Sequence, residues 1–405
     1  MPTSDLRPEP RAAPLRGIRV VALEQAVAGP LCTRHLVDLG ADVIKIERPG
    51  GGDFSRSYDS VVHGESAYFV WLNRGKRSVV LDLKSANDRV VVDSLLESAD
   101  VLVSNLGPGA LERLGLGWDA VHAQWPQLIS CTITGYGTEG PLRNRKAFDL
   151  LVQGEAALFA ITGAPEQPAK VGLPIADISG GMYALSGVLA ALFQRESTGL
   201  GTRIDIAMLD CIAEWMTPIL YHREYTGKEP ERSGVMHATI CPYGPYRVGG
   251  GQATVNIAVQ NQRQWRAFCT FVLERPDLVD DDRFRSNEAR VRHRDELEIL
   301  IDEFLAAVPL TAVLASLDRA DIPWAEVNDV GALLDHPQLR ARARWTQVDT
   351  PSGLASALRS PLDARDSNVT TLAVPALGEH TSEVLEQYAQ ASGTLDSRPV
   401  RRATK

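Results

Sequence analysis

The feature that most limits the possible folds is a repeated alternation of short β-branched runs with helical segments, closed by glycine. Ile18 to Leu23 reads as a strand, Gly29 to Gly40 as a helix ending on glycine, and Asp42 to Glu47 as a second strand. Strand, helix and strand within about thirty residues form a βαβ unit, which requires parallel pairing. The pattern continues with strand Ser78 to Leu83, a helix through Leu96, strand Asp100 to Ser104, a helix, and strand Leu128 to Ile133. The expected fold class is therefore α/β, with a doubly wound, Rossmann-like large domain. Ligands of such sheets bind beyond the carboxyl ends of the strands. Those ends carry usable groups here: Glu47 and Arg48, Asp82 and Lys84, Asn105, and Gly135-Tyr136-Gly137.

Beyond this core, Gly172-Leu-Pro-Ile-Ala-Asp177 leads through Gly180 and Gly181 into an apolar helical segment reaching about Arg195. Asp177 reads first as an N-cap, a position Asp favours. It reads second as a carboxylate nucleophile in a glycine-lined pocket. A strand, Thr202 to Ile206, and a helix from Leu209 to about Tyr225 follow. Composition then shifts, and Pro, Gly, Ser, His and Tyr crowd residues 229–246. Strands Pro245 to Val248 and Ala253 to Ala258 flank Gly249-Gly250-Gly251, which reads as a hairpin turn. Residues 260–320 are helical and charged, Asp321 to Asn328 is a returning strand, and the last helix starts near Gly378. This predicts a tail over 1–16 without fixed structure, a large domain over 17–225 plus 330–405, and a small inserted α/β domain over 226–329.

At 405 residues the chain is long enough for two domains. A net charge of −9 argues against bulk nucleic-acid binding. The longest apolar run, Met182 to Phe193, falls short of the roughly 20 residues that span a bilayer, so no membrane association is expected. Five scattered cysteines without CxxC spacing suit a reducing, cytoplasmic setting and no metal site. Gly107-Pro-Gly109 through Gly115 is no dinucleotide fingerprint, because it follows the fourth strand and Pro108 removes an N–H.

Five ordered blocks carry a resemblance. They are Val27-Ala-Gly29-Pro30, Leu39 to Arg48, Asn73-Arg-Gly-Lys76-Arg77-Ser78, Asn105 to Arg113, and Gly378-Glu-His-Thr381. Together they resemble the family III CoA-transferases, the formyl-CoA and carnitine CoA-transferase group. The resemblance implies an interlocked homodimer and an acyl-CoA:carboxylate CoA-transferase, with acyl-CoA and a small carboxylic acid as substrates. It implies no metal or redox cofactor, coenzyme A being a substrate. It makes Asp177 the nucleophile and places substrate and CoA contacts at Val27, Ala28, Arg48, Leu81, Lys84, Asn105, Leu106, Arg113, Lys146, Asp149, Gly234 and His237. Oxyanions would be met by backbone N–H groups near Gly180 and Gly181, or in the loop Ser233 to His237. Formyl-CoA transferase has Gln where this chain has Val27, which argues against an oxalate role. The α-methylacyl-CoA racemases share the fold but need a His before the second Asp, where this chain has Phe148. The stretch Arg232 to Tyr246 is most similar to the subgroup acting on itaconate, citramalate, mesaconate or malate with succinyl-CoA. Arg232 and His237 are then the candidates for holding the distal carboxylate. A non-catalytic CoA-binding protein is the remaining alternative.

Overall fold

The computed structural model describes residues 13–362 and 372–391. The chain forms two compact units. The first gathers residues up to Ala156, Gly172–Pro218, and those from Ala341 on; the second comprises Ala157–Val171 and Ile219–Arg340. The second unit is thus larger than the expected 226–329, and it includes residues 157–171, which the sequence pattern places in the large domain. Of the expected tail, residues 1–12 lie outside the described residues. Residues 13–16 form an ordered turn in which Leu15 N–H donates to the Leu39 carbonyl at 2.9 Å.

The first unit is built on six strands: β1 (Arg19–Leu23), β2 (Asp42–Glu47), β3 (Arg77–Val80), β4 (Val101–Ser104), β5 (Ile129–Thr134) and β6 (Arg203–Ala207). Their order is β3-β2-β1-β4-β5-β6, every pair parallel. Val20, Val21 and Ala22 are wholly buried, because both faces of a parallel sheet are covered and strands read as apolar runs. Three helices matter most for the site: α1 (Ala28–Asp38), α2 (Asp149–Glu155) and α3 (Ile175–Thr198). By length and composition α3 could cross a membrane, yet half of its most apolar window is buried inside the unit, as in a core helix. Gly181 brings α1 and α3 together: a Cβ there would lie 2.7 Å from the Ala28 carbonyl oxygen. Gly378 N–H donates to Ser78 Oγ and His380 N–H to the Ser78 carbonyl, docking the last block of the sequence on β3.

The second unit holds an antiparallel sheet of Tyr243–Val248, Ala253–Ala258 and Trp324–Glu326, with the middle strand shared. Gly249, Gly250 and Gly251 all have positive φ and form the turn of its hairpin, as the pattern predicts. Its core gathers Trp265, Phe268, Phe284, Leu297 and Ile301 around the sheet. The helix expected over 209–225 is broken at Met216, giving Met208–Trp215 and Thr217–Thr226. All five cysteines are free and buried.

Candidate active site

Asp177 is not an N-cap. Pro174 occupies that position and Asp177 stands three residues on, in the first turn of α3. The cap is supplied from α2. Asp149 Oδ1 accepts the Ala176 N–H at 2.8 Å and the Asp177 N–H at 3.4 Å, while its Oδ2 accepts from Gln153 Nε2 at 2.7 Å. Burial first, and the Asp149 charge second, push the Asp177 carboxyl up to about 7. Gly180 and Gly181 sit within the helix, where N–H groups serve the i−4 ladder, so the expected oxyanion role does not hold for them. α1 opens with Ala28 in the wall of the same cavity, and its N-cap residue, Val27, has no side-chain acceptor to offer the N–H groups of Ala28 and Gly29.

The Asp177 cavity measures about 210 Å³ and its wall includes Gln25, Ala28, Phe54, Leu106, Lys146 and Phe148. A second cavity of about 230 Å³ lies at the carboxyl ends of β1, β2 and β3, with Arg48, Leu81 and Lys84 in its wall. Gln25 and Leu106 belong to both. Thus Ala28, Asn105, Leu106 and Lys146 gather around Asp177, and Arg48, Leu81, Lys84 and Leu106 around the neighbouring hollow.

Other predicted residues lie elsewhere. Val27 is buried in an apolar cluster with Leu31 and Leu72, so its side chain packs and does not face substrate. Arg113 lines neither cavity, and its Nη1 donates to the Pro108 carbonyl at 3.3 Å. Gly234 and His237 belong to the second unit. There Gly234 N–H donates to the Gly163 carbonyl, and the His237 ring stacks on Tyr243 at 4.9 Å. Arg232 donates to the carbonyls of Ala164, Ala160 and Pro165, so its guanidinium already serves the fold.

Sequence reasoning missed Arg145, the aromatic contacts that Phe148 makes and a buried ionic network. Arg145 lines the Asp177 cavity beside Lys146 and pairs with Glu155 at 3.3 Å. Phe148 meets Phe54 edge-on at 6.4 Å, and Phe54 meets Tyr58 at 5.8 Å, which makes an aromatic wall. Burial, with the Asp53 and Asp177 charges, pushes the Tyr58 hydroxyl up to about 12. Asp53, next to Phe54 in sequence, belongs to the buried ionic network. Lys45 Nζ contacts Asp53 at 2.8 Å and Glu24 at 3.4 Å, Lys76 Nζ contacts Glu24 at 2.7 Å, and Arg56 pairs with Glu47 at 2.7 Å. The alternating charges of this network are present in the sequence, but only the fold brings them together.

A sequence model described as CoA-transferase family III matches residues 15–381. The chain belongs to that family. This CoA-transferase is 33% identical over 387 residues to the succinate–glutarate CoA-transferase of Agrobacterium fabrum, covering 93% of this chain and 96% of that protein. It is likewise 33% identical to the succinyl-CoA:mesaconate CoA-transferase of Haloarcula hispanica, covering 94% and 98%. Among solved structures, a CaiB/BaiF family protein from Brucella suis superposes with a TM-score of 0.80 at 34% identity, over 93% of this chain and all of that one. The chain is an enzyme of the CoA-transferase type, moving CoA between an acyl-CoA and a carboxylic acid.

Proposed function

We propose that this CoA-transferase carries CoA from a donor such as succinyl-CoA to a small dicarboxylic acid through covalent intermediates on Asp177. A single observation carries the reading. The Asp177 carboxyl lines a cavity that shares Gln25 and Leu106 with a hollow holding Arg48 and Lys84 at strand ends. Those two cations suit the phosphates of the nucleotide, and the Asp177 cavity suits the acyl end.

An Asp177 carboxylate oxygen attacks the thioester carbonyl, the C–S bond breaks, and CoA leaves as thiolate, giving a mixed anhydride. The thiolate attacks the aspartyl carbonyl of the anhydride, releasing the donor acid and leaving aspartyl-CoA. The acceptor carboxylate then attacks the aspartyl-CoA carbonyl, the C–S bond breaks, CoA leaves again as thiolate, and a second mixed anhydride forms between Asp177 and the acceptor acid. Thiolate attack on that acid's acyl carbonyl yields the new acyl-CoA and restores Asp177. Each step exchanges nucleophiles at an acyl carbon, so no electron transfer or metal is called for. The N–H groups of Ala28 and Gly29, at the start of α1, are donors suited to the oxyanions.

The names of the two relatives, a glutarate and a mesaconate enzyme, support a dicarboxylate acceptor, with itaconate, citramalate and malate as further candidates. Arg145 and Lys146 replace Arg232 and His237 as the cations available for its distal carboxylate, since they line the Asp177 cavity. The run of exposed apolar side chains Leu220, Tyr221 and Tyr225 on the helix Thr217–Thr226 supports association with a second copy, as in the interlocked homodimer. Cytoplasmic location remains part of the same reading. Phe148 lies in the cavity wall where a racemase needs its second acid–base group, which favours transfer over racemisation.

The test is to incubate the enzyme with succinyl-CoA and map adducts by mass spectrometry. A CoA thioester on the peptide containing Asp177 is expected. Absence of any adduct, together with undiminished transfer by Asp177→Ala, would overturn the mechanism.

A further inference from the structure

In this sheet the winding reverses between β1 and β4, which are adjacent in space though far apart in sequence. Connections leave such neighbours toward opposite faces and open a crevice at their carboxyl ends. Gln25 stands two residues beyond β1, and Asn105 directly follows β4. The two are joined reciprocally: Gln25 N–H donates to Asn105 Oδ1 at 2.8 Å, and Asn105 Nδ2 donates to the Gln25 carbonyl at 2.7 Å. The Asn105 amide is therefore engaged in fixing the Gln25 backbone. The next residue is fixed too, since Ala26, at a φ of +60°, donates its N–H to Asp53 Oδ1 at 3.0 Å. The Gln25 carboxamide, in contrast, has no hydrogen-bond partner among the described residues, although the residue is half-buried. With Leu106, it lines both the Asp177 cavity and the hollow of Arg48 and Lys84.

A half-buried carboxamide on a fixed backbone, between a cationic hollow and a nucleophile, offers a donor and an acceptor to a neutral group that crosses between the two cavities. Resting on the CoA reading above, the group that must cross this point is the pantetheine arm, with two amides and a terminal thioester. We propose that Gln25 is a substrate-positioning residue: its carboxamide hydrogen-bonds the pantetheine arm while Leu106 packs on its methylenes, setting how far the thioester reaches toward Asp177. Gln25 thus supplies an amide to this cavity in a chain whose Val27 is turned into the core.

The experiment compares calorimetric binding of CoA and of adenosine 3′,5′-bisphosphate, which lacks the arm, to the wild type, Gln25→Ala and Gln25→Met. Both variants are expected to bind CoA about 3- to 10-fold more weakly, the worth of one neutral hydrogen bond. Their affinity for the bisphosphate should stay at the wild-type value. Wild-type CoA affinity in Gln25→Met would reduce the contact to packing and overturn the proposal. So would an equal loss for CoA and the bisphosphate, which would place Gln25 on the nucleotide alone. A wild-type enzyme that binds neither ligand would instead overturn the CoA reading itself.

Discussion

Asp149 caps the helix that carries Asp177, accepting the Asp177 backbone N–H at 3.4 Å and that of Ala176 at 2.8 Å on one oxygen. An N-terminal turn would ordinarily stabilise a carboxylate. Here the capping charge takes up those donors and adds a like charge beside the nucleophile. The Asp177 carboxyl is pushed up to about 7, by burial chiefly and by Asp149 in addition.

The acid limb of kcat/KM in the wild type is therefore expected near pH 7, since only ionised Asp177 attacks. Asp149→Asn keeps an oxygen for the two N–H groups and removes the charge. Its limb should move to lower pH yet stay above the ordinary carboxylate range, because burial is the larger cause. A pH profile in which the limb does not move would show that Asp149 has no electrostatic hold on Asp177.

Asp177→Asn separates chemistry from stability. The neutral amide cannot form the anhydride, so turnover should be lost. A carboxyl raised from 3.8 to about 7 in the folded state binds its proton more tightly folded than unfolded. Folded stability therefore falls as pH rises through that window, by at most about 1.4 kcal/mol for each pH unit crossed. The Asn variant lacks this penalty. Its melting temperature should exceed that of wild type by several degrees at about pH 8, and the difference should vanish near pH 4, where the wild-type carboxyl is protonated in the fold. Equal melting at both values would remove the like-charge, buried description of the site.

Legibility divides along the range of the interactions. The parallel sheet can be read because β1 and β4 are nearly continuous apolar runs, a local signal. Asp177 can be located because five blocks fix its frame. Its cap cannot, since Asp149 and Asp177 are 28 residues apart and only the packing of α2 on α3 joins them. Position alone assigns Val27 to substrate, yet its β-branched side chain, just before α1, packs into the core cluster with Leu31 and Leu72. Gln25 carries no motif and becomes visible only once β1 and β4 are known to be neighbours. Gly180 and Gly181 suggest oxyanion donors by type, but their use is close helix packing.

That use makes Gly181 a sensitive point. A Cβ there would approach the Ala28 carbonyl oxygen at 2.7 Å and Leu31 Cβ at 3.1 Å, contacts that rigid backbone cannot relieve cheaply. Gly181→Ala should part α1 from α3, costing about 1–3 kcal/mol as overpacked cores do. It should also lower kcat, since Ala28 and Asp177 share a cavity wall. Thermal melting and steady-state kinetics check both; wild-type values in each would show that the helices have room to spare.

Lys76 tests the buried ionic network. Its Nζ contacts Glu24 at 2.7 Å, the Pro30 carbonyl at 3.0 Å and Asn73 Oδ1 at 3.0 Å, with no part of the pair exposed. Burial alone would raise the Glu24 carboxyl, but Lys76 and Lys45 together hold it below its ordinary value. Lys76→Met leaves Glu24 with Lys45, which is itself shared with Asp53, so a buried charge loses its nearest partner. Removing one member of such a pair costs about 3–5 kcal/mol, and the midpoint of urea unfolding should fall accordingly. Adding Glu24→Gln should restore part of that loss, because the orphaned charge goes with it. If the double variant is less stable than Lys76→Met by the full cost of Glu24→Gln alone, the two groups act independently and the pair is not what holds β1 to the turn before β3.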